Sequence, residues 1–351
     1  LNDRCPNRER LAAALEREYA GYLSREEQRQ HTARVRSIVT DQFDGLAGTL
    51  TGLSERSCGI TPCTEGLIRR ITEGLLAAER ELREVLCWTS SGGHLTVRLA
   101  FPAALPQRVD AEKLGKLIAA EAGLEMEGPT RFRQEGVLLL TYREKPRYRL
   151  EHWQCQLPAV ENTPCGDTLR DVRGEEGLQA LILSDGMGTG AAAALDSAML
   201  CNLVGRLLEA GIPCGSALRL VNSALMVKGG RETLATLDAA AVDCYTGSAA
   251  FYKAGAAPTF LRRQGRAMRL EAVSLPAGIL DGVEPVKRRF ALREEDLLLM
   301  VSDGVPTEEP WVEEQLTAWE GDDPTELCRR IAEAARLRCR ETRPDAITVA
   351  A

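Results

Sequence analysis

The chain has 351 residues, 44% of them hydrophobic and 27% charged, with a formal net charge of −7. That composition belongs to folded globular protein and excludes collagen-like, low-complexity and wholly disordered classes. The acidic balance argues against a nucleic-acid binder, which would carry a basic patch or stripe. The 11 cysteines are an odd number, scattered, with no signal peptide ahead of them and no apolar run of membrane-spanning length, so reduced thiols are expected. Cys58 and Cys63 are a loose pair with no second pair or neighbouring histidine to complete a zinc site. His31, His94 and His152 are isolated. The chain opens on Leu1, not Met, and is expected to be part of something longer.

Residues 9–53 are highly charged and free of proline. Val35, Val39, Phe43, Leu46, Leu50 and Leu53 recur at spacings of four and three, which predicts an amphipathic helix or a short coiled-coil seam. Such a helix either packs on its own domain or pairs with a second copy. Ser54 to Pro62 is a break. Thr64 opens a helical stretch through Leu86, with Leu67, Ile71, Leu75 and Leu82 on one face. Leu95, Val97 and Leu99 alternate with polar residues as a half-buried strand. A helix over Asp110–Ala122 ends at Gly123, and strands follow at 124–132 and 136–142. The order predicts a small α/β regulatory unit.

Lys145-Pro146 marks a boundary, giving three expected parts: a helical segment 1–56, a small α/β unit 57–147, and a domain 148–351. In the last part, a helix over Ala191–Ala210 stops at Gly211, and Ser216 caps another carrying Leu218, Val221 and Leu225. Strands at 234–243 and 248–254 form a hairpin through Tyr245-Thr246-Gly247. Further strands are expected at 258–263, 266–272, 297–302 and 347–350, with a helix over 324–338. Strands, then helices, then strands again predict an antiparallel α+β fold.

One pattern occurs twice. Leu181-Ile182-Leu183 runs into Ser184-Asp185-Gly186, and Leu298-Leu299-Met300-Val301 runs into Ser302-Asp303-Gly304. A carboxylate at the end of a core strand is costly unless something positive neutralises it. Two together call for a shared hard cation with oxygen ligands, such as Mg²⁺ or Mn²⁺. The glycine after each aspartate lets backbone approach closely. Asp167, after Cys165-Gly166, and Asp345, ahead of Ile347-Thr348-Val349, sit at strand edges too. Four carboxylates without nitrogen or sulfur donors point to hydrolysis of phosphate esters. The plain alternative is that each Asp-Gly is a turn. A dinucleotide-binding turn at 186–190 is disfavoured, because the spacing is G-x-G-x-G and Asp185 would face the pyrophosphate. No G-x-S-x-G is present, and a thiolate at Cys165 beside Asp167 would react poorly.

Ser184-Asp185-Gly186-Met187-Gly188-Thr189-Gly190, Ser302-Asp303-Gly304 and Asp345-Ala346-Ile347-Thr348-Val349 resemble the metal motifs of the PPM-type (type 2C-like) serine/threonine phosphatases, and most nearly their sporulation branch. Thr236-Leu237-Asp238, Lys253-Ala254-Gly255-Ala256-Ala257-Pro258-Thr259-Phe260 and 274–280 also match stretches of that family. The resemblance covers residues 150–351 well and 1–150 more loosely. It implies an antiparallel β-sandwich flanked by helices, with a long helix and the small α/β regulatory domain ahead of it. It implies two Mn²⁺ or Mg²⁺ ions: Asp185 bridging both, the Gly186 carbonyl on one, Asp303 and Asp345 on the other, and Asp167 holding metal-bound water or a weaker outer ion. Catalysis would rest on Asp185, Asp303 and Asp345, by direct attack of a metal-bridging hydroxide on phosphorus.

The implied substrate is a phosphoserine anti-sigma-factor antagonist, whose dephosphorylation activates a sporulation sigma factor. Implied partners are the division protein FtsZ and a second copy of the chain, and no nucleic acid. Membrane contact would come only through a multispanning region that this sequence lacks, leaving this part soluble at the cytoplasmic face. Two departures matter. Ala346 stands where the family often has a polar residue, and Met187 where many eukaryotic relatives carry a histidine acid. The competing class is a phosphatase fold that only binds partners.

Overall fold

The computed structural model describes Tyr19, Tyr22 and residues 60–351 except 80, 103–108, 135, 175, 189, 228–234, 272–285 and 340–344. The helix expected within 9–53 and the family stretch at 274–280 lie outside the described residues.

The first body is a five-stranded antiparallel sheet with two helices on one face. Its strands are β1 (Thr61–Pro62), β2 (Glu84–Thr89), β3 (Leu95–Pro102), β4 (Met126–Gln134) and β5 (Val137–Glu144), in the order β1-β2-β3-β5-β4. Helices α1 (Glu65–Ala78) and α2 (Ala111–Ala122) cover it. Ile71 and Leu75 of α1 pack with Leu114 and Ile118 of α2 onto Val97, Leu99, Phe101, Leu138 and Leu140. The α2 ends are built as the sequence predicts. Asp110 accepts from the Lys113 N–H at 3.0 Å, and Gly123 takes the left-handed conformation at φ 69°.

The helix expected to run from Thr64 to Leu86 stops at Ala78, and Glu79 is extended. From Glu84 the pattern has period two, not 3.6. Cys87 is buried in the core while Leu86 is exposed, so these residues form β2.

The second body is a sandwich of two antiparallel five-stranded sheets. One holds β7 (Asp167–Arg173), β8 (Leu178–Asp185), β9 (Leu237–Asp243), β10 (Ser248–Ala254) and β13 (Val286–Ala291), in the order β13-β10-β9-β8-β7. The other holds β6 (Gln154–Leu157), β11 (Thr259–Arg263), β12 (Arg266–Leu270), β14 (Leu297–Val301) and β15 (Ile347–Ala350), in the order β12-β11-β14-β15-β6. Between them lie Leu181, Leu183, Ala240, Val242, Ala249 and Phe251 from the first sheet, facing Met300 and Ala350 from the second.

Helices α3 (Ala191–Glu209) and α4 (Cys214–Val227) cover the outer face of the first sheet. Helices α5 (Trp311–Thr317) and α6 (Pro324–Arg338) cover that of the second. The fold class is α+β, as the order of elements predicts, and the β-sandwich flanked by helices is the one the family resemblance implies.

Some elements depart from expectation. Helix α4 begins at Cys214, two residues before Ser216, because the carbonyl of Pro213, at the N-cap position, already accepts from the Ala217 N–H at 2.9 Å. Strands β6 and β13 were not anticipated. Both are edge strands, and Lys287, Arg288 and Arg289 make β13 polar, as befits an edge. Helix α3 amends the reading that no apolar segment reaches spanning length. Its 19 residues are long and apolar enough by length and composition. It is a core helix here, with Leu200, Cys201, Val204 and Leu208 packed on β8 and β9 residues. No disulfide forms among the described residues.

The two bodies meet at the β9–β10 turn. The Tyr245 ring stacks on His94 at 3.5 Å and 8°, and its hydroxyl donates to the Glu144 carbonyl at 2.9 Å. Gly177 makes room for that ring, since a Cβ there would lie 2.6 Å from it.

Candidate metal centre

Antiparallel pairing of β7 with β8 sets Asp167 directly opposite Asp185. Strand β14 runs into Ser302-Asp303-Gly304 from the other sheet, and β15 begins two residues after Asp345. All four aspartates therefore emerge at one end of the sandwich. Asp167 and Asp185 are buried there, and Asp303 and Asp345 are exposed.

The Asp185 carboxyl contacts those of Asp303 and Asp167. Burial foremost, then these neighbours, push it up to about 11. Burial also pushes Asp167 up, with the Asp303 charge adding to it. Like-charged groups this close do not ionise together without a cation. The Ser302 and Thr348 hydroxyls and the Asp185 carboxyl lie near enough to Asp167 to favour its charged form. None reaches it with hydrogen-bond geometry, and both Asp167 oxygens are buried without a hydrogen-bond partner among the described residues. A buried carboxylate left so is costly, and a bound cation would offset that cost.

The glycines are required by the packing. A Cβ on Gly186 would lie 2.1 Å from the Ala193 carbonyl oxygen, and one on Gly304 would lie 1.9 Å from that of Ala346. The two Ser-Asp-Gly turns are thus pressed against α3 and the start of β15. Asp345 is turned toward its own backbone, with Oδ1 accepting from the Ala346 N–H at 2.8 Å. As the side chains stand, no three acidic, histidine or cysteine groups among the described residues close into a finished ligand shell. The oxygen-only donors Asp167, Asp185 and Asp303, with the orphaned oxygens of Asp167, nevertheless suit a hard divalent ion.

Other groups are excluded from the chemistry by position. Burial, then the Asp167 charge, pushes the Cys165 thiol up, so it is no thiolate nucleophile. His94 sits against Glu144 and Tyr245, and His152 beside Asp171.

Sequence reasoning assigned no role to the groups that hold the site. Thr236 donates its N–H to the Asp185 carbonyl at 2.8 Å and accepts the Asp185 N–H on its hydroxyl at 3.1 Å. Ser302 Oγ accepts from the Thr348 N–H at 2.9 Å. Gln156 joins Thr348 Oγ1 and the Asp167 carbonyl. Lys253, Asp238 and Thr259 form a buried cluster between the sheets, with Lys253 Nζ 2.5 Å from Asp238 Oδ2 and 2.7 Å from Thr259 Oγ1. The signal for that cluster was legible: Lys253 is the one charged residue of β10, and Asp238 is the one charged residue in the interior of β9.

A helix-flanked sandwich with carboxylates gathered at one end is the PP2C phosphatase fold. The solved PP2C phosphatase domain and regulatory-domain fragment of the cell fate determinant SpoIIE from Bacillus subtilis superposes with a TM-score of 0.60 at 21% identity, covering 88% of this chain and 94% of that one. The model of the stage II sporulation protein E family matches residues 175–351, and the chain belongs to that family. Stage II sporulation protein E of Priestia megaterium is 22% identical over 344 residues, 95% of this chain and 59% of that protein. That of Bacillus subtilis (strain 168) is 32% identical over 161 residues, 44% of this chain and 20% of that protein. The chain therefore spans well under two thirds of either relative.

Proposed function

We propose that this chain is a metal-dependent protein serine/threonine phosphatase acting on a phosphoserine anti-sigma-factor antagonist, and so activating a sporulation sigma factor. The observation that carries the reading is the buried Asp167, both oxygens unpartnered, against Asp185 and Asp303 on a PP2C fold. Asp167, Asp185, the Gly186 carbonyl, Asp303 and Asp345 would hold two Mn²⁺ or Mg²⁺ ions. When bound, such ions supply Lewis-acid stabilisation of phosphoryl oxygens and a nucleophile at neutral pH.

The chain's own contribution is positioning and electrostatics. A phosphate ester carries negative charge, and the bare carboxylates would repel it, so substrate binding is coupled to cation binding. The strand ends hold the carboxylates in place, and burial keeps the neighbouring Cys165 thiol protonated, so it does not compete for phosphorus. Pairing with a second copy, through the helix expected within 9–53, and contact with FtsZ rest on the family resemblance.

The test is phosphate release from a phosphoserine protein of the antagonist class, with Mn²⁺ and with chelator, for the parent, Asp185→Ala and Asp303→Ala. Metal-dependent release that falls at least about a hundredfold in both variants is expected. Equal turnover in the variants would sink the site. Mn²⁺ binding by a parent that releases no phosphate would favour a partner-binding scaffold.

A further inference from the structure

The register that pairs Leu183 with Asp238, and Gly186 with Ala235 as a bridge, sets Asp185 opposite Thr236, just past the last regular pair of the β8–β9 ladder. Beyond that point Thr236 takes over with three hydrogen bonds. Its N–H donates to the Asp185 carbonyl at 2.8 Å, its hydroxyl accepts the Asp185 N–H at 3.1 Å, and its carbonyl accepts from Ser184 Oγ at 2.8 Å. Gly186 is flanked on both sides, bridging Ala235 and donating its N–H to the Gly166 carbonyl at 3.3 Å. The side-chain hydroxyl thus fills a place that a ladder carbonyl would occupy in a regular strand. Without it, the N–H of a residue only 9% exposed would lose its acceptor.

The second Ser-Asp-Gly copy is held differently. There the turn's own Ser302 Oγ accepts a neighbouring N–H, that of Thr348, and Ser302 N–H donates to the Thr348 carbonyl. The hydroxyl acceptor at the first copy comes from the residue just ahead of β9, 51 residues away in sequence.

We propose that Thr236 is a positioning residue for the metal centre: its hydroxyl fixes the main chain of Asp185 and so aims the Asp185 carboxylate and the Gly186 carbonyl. This rests on the phosphatase reading above. Thr236 acts through Asp185 and is not itself a ligand. The methyl of threonine is immaterial to the argument, and the hydroxyl oxygen is essential.

The experiment compares the full chain with Thr236→Val, which keeps the shape and removes the acceptor, and Thr236→Ser, which keeps the acceptor. Two readouts are taken: the Mn²⁺ dissociation constant by calorimetry, and hydrogen exchange of a peptide containing Asp185 in the metal-free protein. Loss of an outer-shell partner weakens metal binding tenfold or more, so Thr236→Val is expected to raise the Kd about tenfold while Thr236→Ser stays within about twofold of the parent. The Asp185 amide should exchange faster only in Thr236→Val. If Thr236→Val does not fold, Thr236→Ala against Thr236→Ser asks the same question. Parent-like Mn²⁺ affinity in Thr236→Val or Thr236→Ala overturns the positioning role alone. A parent that binds no Mn²⁺ overturns the phosphatase reading, and the positioning role falls with it.

Discussion

Replacing Lys253 by methionine tests the cluster that ties the two sheets together near the carboxylate end. Lys253 and Asp238 are cross-strand partners in β10 and β9, with 2% and 1% of their side chains exposed. Lys253 Nζ donates to Asp238 Oδ2 at 2.5 Å, to the Ala257 carbonyl at 2.7 Å and to Thr259 Oγ1 at 2.7 Å. Thr259, from the opposite sheet, donates its hydroxyl to the same Asp238 oxygen at 2.6 Å. Asp238 Oδ1 has no hydrogen-bond partner among the described residues. Lys253→Met therefore leaves a buried carboxylate with a single hydrogen bond and strips one donor from Ala257.

Breaking a buried pair in this way costs about 3–5 kcal/mol. The double variant Lys253→Met with Asp238→Asn removes the stranded charge while keeping an acceptor for Thr259, and should recover about 2 kcal/mol or more of that loss. Urea denaturation followed by tryptophan fluorescence measures both. A Trp88→Phe background leaves Trp153, Trp311 and Trp319, all in the sandwich half, as reporters. A Lys253→Met variant within about 1 kcal/mol of the parent would refute the reasoning. So would a double variant no more stable than the single.

Gly304→Ala should be badly tolerated, because its Cβ would sit 1.9 Å from a backbone oxygen, whereas Gly215→Ala meets nothing nearer than 3.7 Å. A loss of about 3 kcal/mol or more for the first and under about 1 kcal/mol for the second is expected in the same assay, and equal effects would show the turn is not close-packed. Acid should dissolve a different contact. Burial pushes Asp296 up, but the Arg263 guanidinium, at 2.9 and 2.5 Å, and the Arg293 N–H outweigh it and hold its carboxyl below the ordinary range. The folded value lies below the unfolded one, so this stabilisation is present above about pH 4 and is lost as pH falls through the folded value. The stability gap between parent and Asp296→Asn should be steady from about pH 5 to 7 and shrink below about pH 4, and a gap unchanged at about pH 3 would contradict the assignment.

Much of this molecule is written in local pattern. The 3.6 and 2.0 periodicities are properties of short segments, so α2, α3, α6, β3, β10 and β14 are readable from the chain alone. Caps such as Asp110 and Gly123 are equally local. The doubled strand-Ser-Asp-Gly pattern likewise marks Asp185 and Asp303 without any knowledge of the fold.

Tertiary structure decided the rest. Edge strands β6 and β13 carry too little apolar alternation to be seen, because an edge is half solvated and tolerates charge. Segment Glu84–Thr89 has a period-two pattern too short to outweigh the preceding helical one by itself, and its ladder with β3 fixes it as a strand. That Asp167 stands opposite Asp185 is a matter of strand register, and that a hydroxyl at 236 replaces a ladder bond at 185 depends on where β9 ends. Lys253, Asp238 and Thr259 meet because two sheets stack. Propensity and periodicity act over a few residues, whereas register and stacking are set by burial of the whole core, and it is those that turn isolated aspartates into one site.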